Sequence, residues 1–371
     1  MPTAARRAGS GLAASIIAIT LAACAGSGAG TTPPGPASAQ SLVLEPQLSG
    51  TTSLLQAVSA VDESVAWVSG HNATYARTVD GGRTWQAARV PGVDSTLQFR
   101  DVHALDARTA WLMSAGPGEQ SRIYHTTDAG ATWTLQFTNR EPKAFYDCMA
   151  FWDARRGAAY SDAVDGRVTI IVTDDGGRTW TPVPASALPA AQPGEGGFAA
   201  SGTCLVAGKG GRGWIATGNA SGPNARSRVL RTEDYGRTWT AADVPVAAGE
   251  AAGLATITFL DERTGAALGG MISALDSATD NVALTDDGGR TWRLARRPAF
   301  PGAVFGAAYV PRAAGPTLVA VSPKGASVSY DGGNRWARAD SLAYWGIGFA
   351  PSGTGWITGP RGRITRIRAA R

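Results

Sequence analysis

The chain of 371 residues is long enough for one large domain, and 44% of its residues are hydrophobic, which is ample for a core. Its 34 basic and 29 acidic residues give a formal net charge of +5, and no basic run is interleaved with aromatic residues. This mixed charge gives no indication of nucleic-acid binding. The 48 glycines and 21 prolines favour a fold with many turns.

The first 24 residues have the pattern of a targeting segment. Arg6 and Arg7 form a basic start, residues 12–20 are apolar, and the sequence Leu-Ala-Ala-Cys ends at Cys24. The apolar run is too short to span a membrane as a helix, so residues 1–24 are predicted to be a cleaved signal peptide. Its ending resembles a bacterial lipobox, which would make Cys24 the lipidated first residue of the mature chain. The alternative is an ordinary signal peptide with an incidental cysteine.

Residues 25–40 consist of small residues, proline and one glutamine, and are predicted to be a flexible tether. Ala25 follows the lipobox-like cysteine, where an aspartate would argue against sorting to the outer membrane. The predicted location is therefore the bacterial cell envelope, with the lipid anchor as the contact to a membrane, and this membrane is the outer one, facing the periplasm, if the cell has two membranes.

An octapeptide, Ser/Thr-x-Asp-x-Gly-x-x-Trp, dominates the rest of the chain. Successive central aspartates are 48, 47, 59, 53 and 44 residues apart, which indicates a repeat architecture. In each copy the carboxylate can accept backbone N–H groups within a tight turn, and the glycine tolerates positive φ. These aspartates are therefore predicted to stabilise their own turns rather than to bind a metal. They are Asp80, Asp128, Asp175, Asp234, Asp287 and Asp331.

The octapeptides resemble Asp boxes, or BNR repeats, of β-propellers. The longer unit, seen at residues 260–265 and 349–356, resembles the photosystem II stability/assembly-factor family of seven-bladed propellers, within a sialidase-like superfamily at the level of the fold. The resemblance implies a scaffold that holds a protein or peptide during assembly. Nothing in the sequence indicates a photosynthetic partner.

Counting hydrophobic inner strands also gives seven blades, with six or eight less favoured. The seventh repeat lacks a box and a fourth strand, which a lone strand at residues 41–45 can supply, and this removes open sheet edges. The prediction is an all-β, seven-bladed propeller of four-stranded blades over residues 41–371, closed by the N-terminal strand and monomeric. The inner strands are expected near Leu55, Phe99, Tyr146, Phe198, Leu254, Phe305 and Trp345.

Two cysteines remain when Cys24 is assigned to the anchor. Cys148 and Cys204 fall in the same slot on the inner strands of adjacent repeats, which predicts a disulfide in an oxidising compartment. Closing a loop of this length would contribute on the order of 4 kcal/mol. The alternative is two small buried thiols.

The candidate site lies on the face opposite the boxes, because the long insertions at 182–197, 217–228 and 268–281 fall there. Carboxylates beside aromatic side chains on this face could bind a peptide or a sugar. The candidate ligand-binding residues are Arg100, Asp101, Tyr146, Asp147, Asp162, Glu195, Ser201, Tyr344 and Trp345.

The sequence favours a non-catalytic scaffold that binds a protein or glycan partner, and the alternative is a glycan-active hydrolase or lyase. The acids for that alternative would be Asp147, Asp162, Asp165 and Glu195, and two of them would have to face one pocket. A redox function is a weaker third reading. No metal-ligand spacing, dinucleotide fingerprint or sialidase-type Arg-Ile-Pro segment occurs, so no metal or cofactor is predicted.

Overall fold

The computed structural model describes residues 41–369, and they form seven four-stranded antiparallel sheets arranged as the blades of a β-propeller. The predicted fold class and the seven-blade count are confirmed. The predicted signal peptide at 1–24 with Cys24, and the predicted tether at 25–40, lie outside the described residues.

The strands follow the chain from the inside to the outside of each blade. Blade 1 contains β2 (Leu55–Ala60), β3 (Ala66–Gly70), β4 (Thr74–Thr78) and β5 (Gln86–Arg89). Blade 2 contains β6 (Phe99–Ala104), β7 (Ala110–Ser114), β8 (Arg122–Thr126) and β9 (Thr134–Thr138). Blade 3 contains β10 (Tyr146–Phe151), β11 (Gly157–Val164), β12 (Arg167–Thr173) and β13 (Thr181–Pro182). Blade 4 contains β14 (Leu205–Ala207), β15 (Gly213–Ala216), β16 (Ser227–Thr232) and β17 (Thr240–Val244).

Blade 5 contains β18 (Ala252–Phe259), β19 (Gly265–Met271), β20 (Val282–Thr285) and β21 (Arg293–Leu294). Blade 6 contains β22 (Gly306–Tyr309), β23 (Leu318–Ser322), β24 (Gly325–Ser329) and β25 (Ala337–Asp340). Blade 7 contains β26 (Ile347–Phe349), β27 (Gly355–Thr358), β28 (Arg363–Ala369) and, as its outermost strand, β1 (Leu42–Leu48). Three single 3-10 turns lie at Gly118–Gln120, Ala185–Ala187 and Lys209–Gly211.

Both ends of the described chain meet in blade 7. Strand β1 pairs with β28 without interruption from Leu42 opposite Ala369 to Leu48 opposite Arg363. The N-terminal strand therefore supplies the missing fourth strand, as predicted, and the ring has no unpaired blade.

The Asp boxes join the third and fourth strands of six blades and define what we call the box face. Asp287 shows the geometry: its Oδ1 accepts hydrogen bonds from the Thr285 hydroxyl (2.8 Å) and the Thr291 N–H (3.0 Å), and its Oδ2 accepts one from the Thr291 hydroxyl (2.6 Å). The following Gly288 has φ +78°, a conformation that favours glycine. The other five central aspartates likewise accept hydrogen bonds from their own boxes. Each carboxylate is thus occupied by its turn.

Tryptophans fill the spaces between blades. Trp67, Trp111, Trp214 and Trp356, one on each of four second strands, are at most 2% exposed. The Trp214 ring stacks on Phe259 of the next blade with centroids 3.8 Å apart, and its indole N–H donates to the Gly288 carbonyl 2.9 Å away. The rings supply apolar contact between sheets, and the one polar atom finds a partner in the neighbouring box.

One inner-strand prediction is wrong. The inner strand of blade 4 begins at Leu205, and Phe198 lies before it in an irregular segment. The reason is that residues around Phe198 make their hydrogen bonds across the ring rather than along a sheet. The opposite face of the ring, which carries the loops between blades and between second and third strands, is called the loop face below.

Candidate functional site

Residues 194–202, here called the plug, cross the centre of the ring. The Gln56 amide of blade 1 donates to the carbonyls of Ala199 and Ala200, each 3.2 Å away. The Ser201 hydroxyl donates to the Phe305 carbonyl just before blade 6 (2.7 Å). The plug leads into blade 4, whereas these partners belong to blades 1 and 6 on the other side of the ring, so the plug occupies the centre of the ring.

A disulfide fastens the plug to blade 3. The sulfur atoms of Cys148 on β10 and Cys204 are bonded, with Cα atoms 5.9 Å apart. Both side chains are buried, and they join the inner strand of blade 3 to the residue preceding the inner strand of blade 4. One bonded cysteine therefore directly follows Asp147, and the other lies two residues after the end of the plug.

Asp147 and Asp162 form a carboxyl pair beneath the plug. Burial raises the pKa of Asp147 well above its usual range, and the adjacent Asp162 raises it further, while Arg100 opposes the rise. Burial also raises the pKa of Asp162, whose Oδ1 accepts the Gly197 N–H at 2.9 Å. The Oδ2 atom of Asp147 is buried and has no hydrogen-bond partner among the described residues. A proton on Asp147 would make this carboxyl a donor toward Asp162, whose charge raises the pKa of Asp147.

Glu195 forms a buried ion pair with Arg228, separate from the two carboxyl groups of Asp147 and Asp162. Its Oε1 accepts hydrogen bonds from Arg228 Nε (2.8 Å) and the Thr217 hydroxyl (2.9 Å), and its Oε2 accepts Arg228 Nη2 and the Gln192 N–H (2.9 Å). A carboxylate with this many donors is held in a fixed geometry and has no free lone pair for a proton-transfer role.

Asp101 serves the sheet rather than a ligand. It is 3% exposed, and its two oxygens accept the N–H groups of Val102 and Met149, each at 2.7 Å. Burial raises its pKa to about 8, although both backbone hydrogen bonds favour the charged form. Asp101 thus joins the inner strands of blades 2 and 3 through a buried side chain, and its ligand-binding role stays a prediction.

Arg100 is half-buried and is the cation that acts on Asp147. Its guanidinium donates to Gln98 Oε1 (3.0 and 2.6 Å) and lies over the Phe145 ring at 5.9 Å. Burial lowers the pKa of His71, and the charge of Arg100 lowers it further. His71 Nε2 lies 2.6 Å from Gln56 Oε1, so the imidazole helps to orient the amide that holds the plug.

Three further candidates are buried or paired within the fold. Tyr146 is buried against Phe137, and Tyr344 is fully buried, its hydroxyl donating to Asp340 Oδ2 (2.6 Å). Ser201 is buried and hydrogen-bonded, as described above. The side chains of all three are covered by their neighbours, and their role as contact residues for a ligand stays a prediction.

Trp345 and Asp165 have different surroundings. Trp345 is partly exposed at the centre of the loop face and meets Phe305 edge to face, with centroids 5.6 Å apart. Asp165 is exposed at the tip of the β11–β12 hairpin, where it pairs with Lys143 at 2.6 Å. The structure therefore brings Asp147, Asp162 and Arg100 together, holds Glu195 in a separate pair, and leaves Asp165 apart from both.

Comparisons with known proteins agree with this architecture. The family model "Photosynthesis system II assembly factor YCF48" matches residues 44–191. A structure titled "YCF48 bound to D1 peptide" is 18% identical, with a TM-score of 0.61, over 88% of this chain and 97% of the other. Over residues 44–191 this chain is similar to that family, and the fold is the same β-propeller.

Two further solved structures have the same fold. YCF48 from Cyanidioschyzon merolae is 15% identical, with a TM-score of 0.62, over 88% of this chain and 98% of that one. A streptogramin B lyase is 12% identical, with a TM-score of 0.63, over 89% and 98% of the two chains. At these identities the similarities show the fold alone. No curated protein matches the sequence.

Sequence reasoning missed the plug and its partners. Gln56, Gly197 and His71 hold or touch it, yet none stands in a recognisable motif. The one usable signal was the long spacing between the third and fourth boxes, which located an insertion but not its path. Within residues 41–369, no three His, Cys, Asp or Glu side chains are grouped to hold a metal ion, and no helix is long and apolar enough to cross a membrane.

Proposed function

We propose that this protein binds an extended segment of a partner protein on its loop face and does not catalyse a reaction on it. The observation that carries the proposal is the match of residues 44–191 to the YCF48 assembly-factor family, together with the similar fold of YCF48 bound to a D1 peptide. The partner of this chain is left undefined by that likeness. We also propose that Cys24 anchors the propeller by a lipid in the bacterial cell envelope.

The chemistry of the loop face supports a peptide ligand. Phe198, Ile272, Leu275 and Trp345 are partly exposed and pack against a buried cluster of Phe305 with three alanines, Ala200, Ala255 and Ala303. Partly exposed aromatic and aliphatic side chains on a rigid scaffold are the usual anchors for apolar side chains of a partner.

A pocket continues from this apolar group toward the rim. It has a volume of about 560 Å³ and is lined by the loop after β19 and the segment before β22, including Asn281, Arg296, Arg297 and Phe300. Leu275 belongs to the central group and comes directly before the pocket-lining residue Asp276, so the two surfaces adjoin. An extended chain could place one side chain on the central aromatic group and a second, polar one in the pocket.

The carboxylates give less support to the glycan-active alternative. Glycosidase acids stand about 5–9.5 Å apart across a substrate. Asp147 and Asp162 instead interact directly under the plug, Glu195 is bound by Arg228, and Asp165 is paired with Lys143. Because a streptogramin B lyase has a similar fold, the experiment below also tests for enzyme activity.

Site-specific photo-crosslinking of the full chain in its own cells tests the proposal. A crosslinking residue replaces exposed Ala278 or Arg297 at the pocket, and matched controls replace exposed Val79 or Leu260 on the box face. We expect one discrete protein adduct from the pocket positions, lost when Trp345→Ala removes the central ring, and no such adduct from the controls. Equal adducts from both faces, or none, would contradict the proposal. Release of sugar from a glycan panel by the purified protein would favour the enzyme instead.

A further inference from the structure

The plug and the carboxyl pair are fitted to each other without spare room. A Cβ atom placed on Gly197 would lie 2.6 Å from both Cγ and Oδ2 of Asp147, and one on Gly196 would lie 1.9 Å from Oδ1 of Asp162. Contacts this short are essentially forbidden for real side chains. The backbone of the plug therefore rests directly on the two carboxyl groups, and only glycine allows that approach.

A hydrogen bond connects the pair to the plug. Gly197 donates its N–H to Asp162, and Ala163, the next residue, donates its own N–H to the Glu195 carbonyl (2.9 Å). The link from Gly197 is strongest while Asp162 is an anion and Asp147 is a neutral donor beside it. A second negative charge on Asp147 would leave two buried carboxylates in contact.

The surrounding charges do not neutralise a doubly charged pair. Arg100 on β6 is the cation that acts on Asp147, and its pKa is itself lowered by burial. Arg228 on β16 is already paired with Glu195. Burial raises the pKa of Tyr160 on β11, and the negative charges of Glu195, Asp147 and Asp162 raise it further. His71, near Arg100, has a lowered pKa and so adds no positive charge near neutrality.

We propose that Asp147 and Asp162 form a proton-dependent latch, which holds the plug in the centre of the ring while the pair shares one proton and loosens it when that proton leaves. The mechanism needs no ligand and is independent of the proposed partner. Losing the proton removes the Asp147 donor and creates a repulsion that pushes against the backbone of Gly196 and Gly197. The disulfide at Cys204 and the Ser201 hydrogen bond keep the far end of the plug attached, so the opening is local.

Hydrogen–deuterium exchange of the full chain measures the latch. After correction for the intrinsic pH dependence of exchange, the protection factor of peptides covering residues 194–202 is expected to fall at least about tenfold as the pH is raised from weakly acidic to alkaline. In Asp147→Asn the side-chain amide supplies a permanent neutral donor, so the same peptides should stay within about twofold across that range. Asp162→Asn removes the other carboxylate charge of the pair. This variant alone should therefore also make the protection factor of these peptides nearly independent of pH.

The matched control is Asp165→Asn, three residues beyond Asp162 on the same hairpin, whose carboxylate is exposed and paired with Lys143. It should keep the pH profile of the unmodified protein. Peptides from β12 and β16 report in the same experiment that the blades remain folded. A pH-independent plug in the unmodified protein, or an unchanged fall in both asparagine variants, would overturn the latch.

Discussion

Removing the Cys148–Cys204 disulfide should cost a large and calculable part of the stability. The two cysteines are 56 positions apart, and closing a loop of that length lowers the entropy of the unfolded chain by an amount worth about 4 kcal/mol at room temperature. For a propeller of this length the entropy of unfolding is about 0.7 kcal/mol/K, so the same loss should lower the Tm by roughly 6 °C.

The double variant Cys148→Ala/Cys204→Ala is the direct perturbation. Its free energy of unfolding is measured by urea titration, with two spectroscopic probes to check that unfolding is two-state. Because both cysteine side chains are buried, the unmodified protein must be unfolded and refolded in reductant to open the bond. It should then match the double variant, which reductant should leave unchanged.

A loss of less than about 1 kcal/mol in the double variant would refute the reasoning. It would mean that the unfolded chain keeps these two strands close together without the bond, or that the folded state stores strain which cancels the entropy. A change in the urea m-value would separate the first explanation from the second, because a compact unfolded state exposes less surface.

Three further outcomes follow from the contacts described. Asp287→Ala should lower the free energy of unfolding by about 1–3 kcal/mol in urea titration because it leaves box donors without an acceptor, whereas Asp286→Ala, one position earlier and exposed, should change it by less than about 0.5 kcal/mol. Trp214→Ala should cost about 3–5 kcal/mol by the same assay, while Leu48→Ala, at a side chain that is 93% exposed, should be close to neutral. For Asp101 the folded pKa of about 8 lies above the unfolded value, so its contribution to stability is complete in acid below about pH 4 and is lost as pH rises toward 8. Calorimetry across that range should show a Tm that falls less steeply in Asp101→Asn, and equal slopes would contradict the assignment.

The sequence by itself determined the repeat and most of what the repeat contains. Each box could be predicted because the partners of its aspartate lie within four residues, as the bonds from Thr285 and Thr291 to Asp287 show. Seven blades and closure by the N-terminal strand followed from counting units, since a ring leaves one position for a lone strand. The pairing of Cys148 with Cys204 followed from equal register on adjacent repeats.

Only the tertiary structure decided what happens at the centre of the ring. Gln56 and Ala199 are 143 positions apart, and no periodic pattern relates them. The path of the plug therefore depends on long-range contacts, and it moved Phe198 out of the predicted inner strand. Asp101, Tyr146 and Tyr344, which the sequence predicts to face a ligand, are buried in the closed ring. Local hydrogen bonds set the form of each blade, but burial at the axis is a property of all seven blades together, so it could be read only from the closed ring.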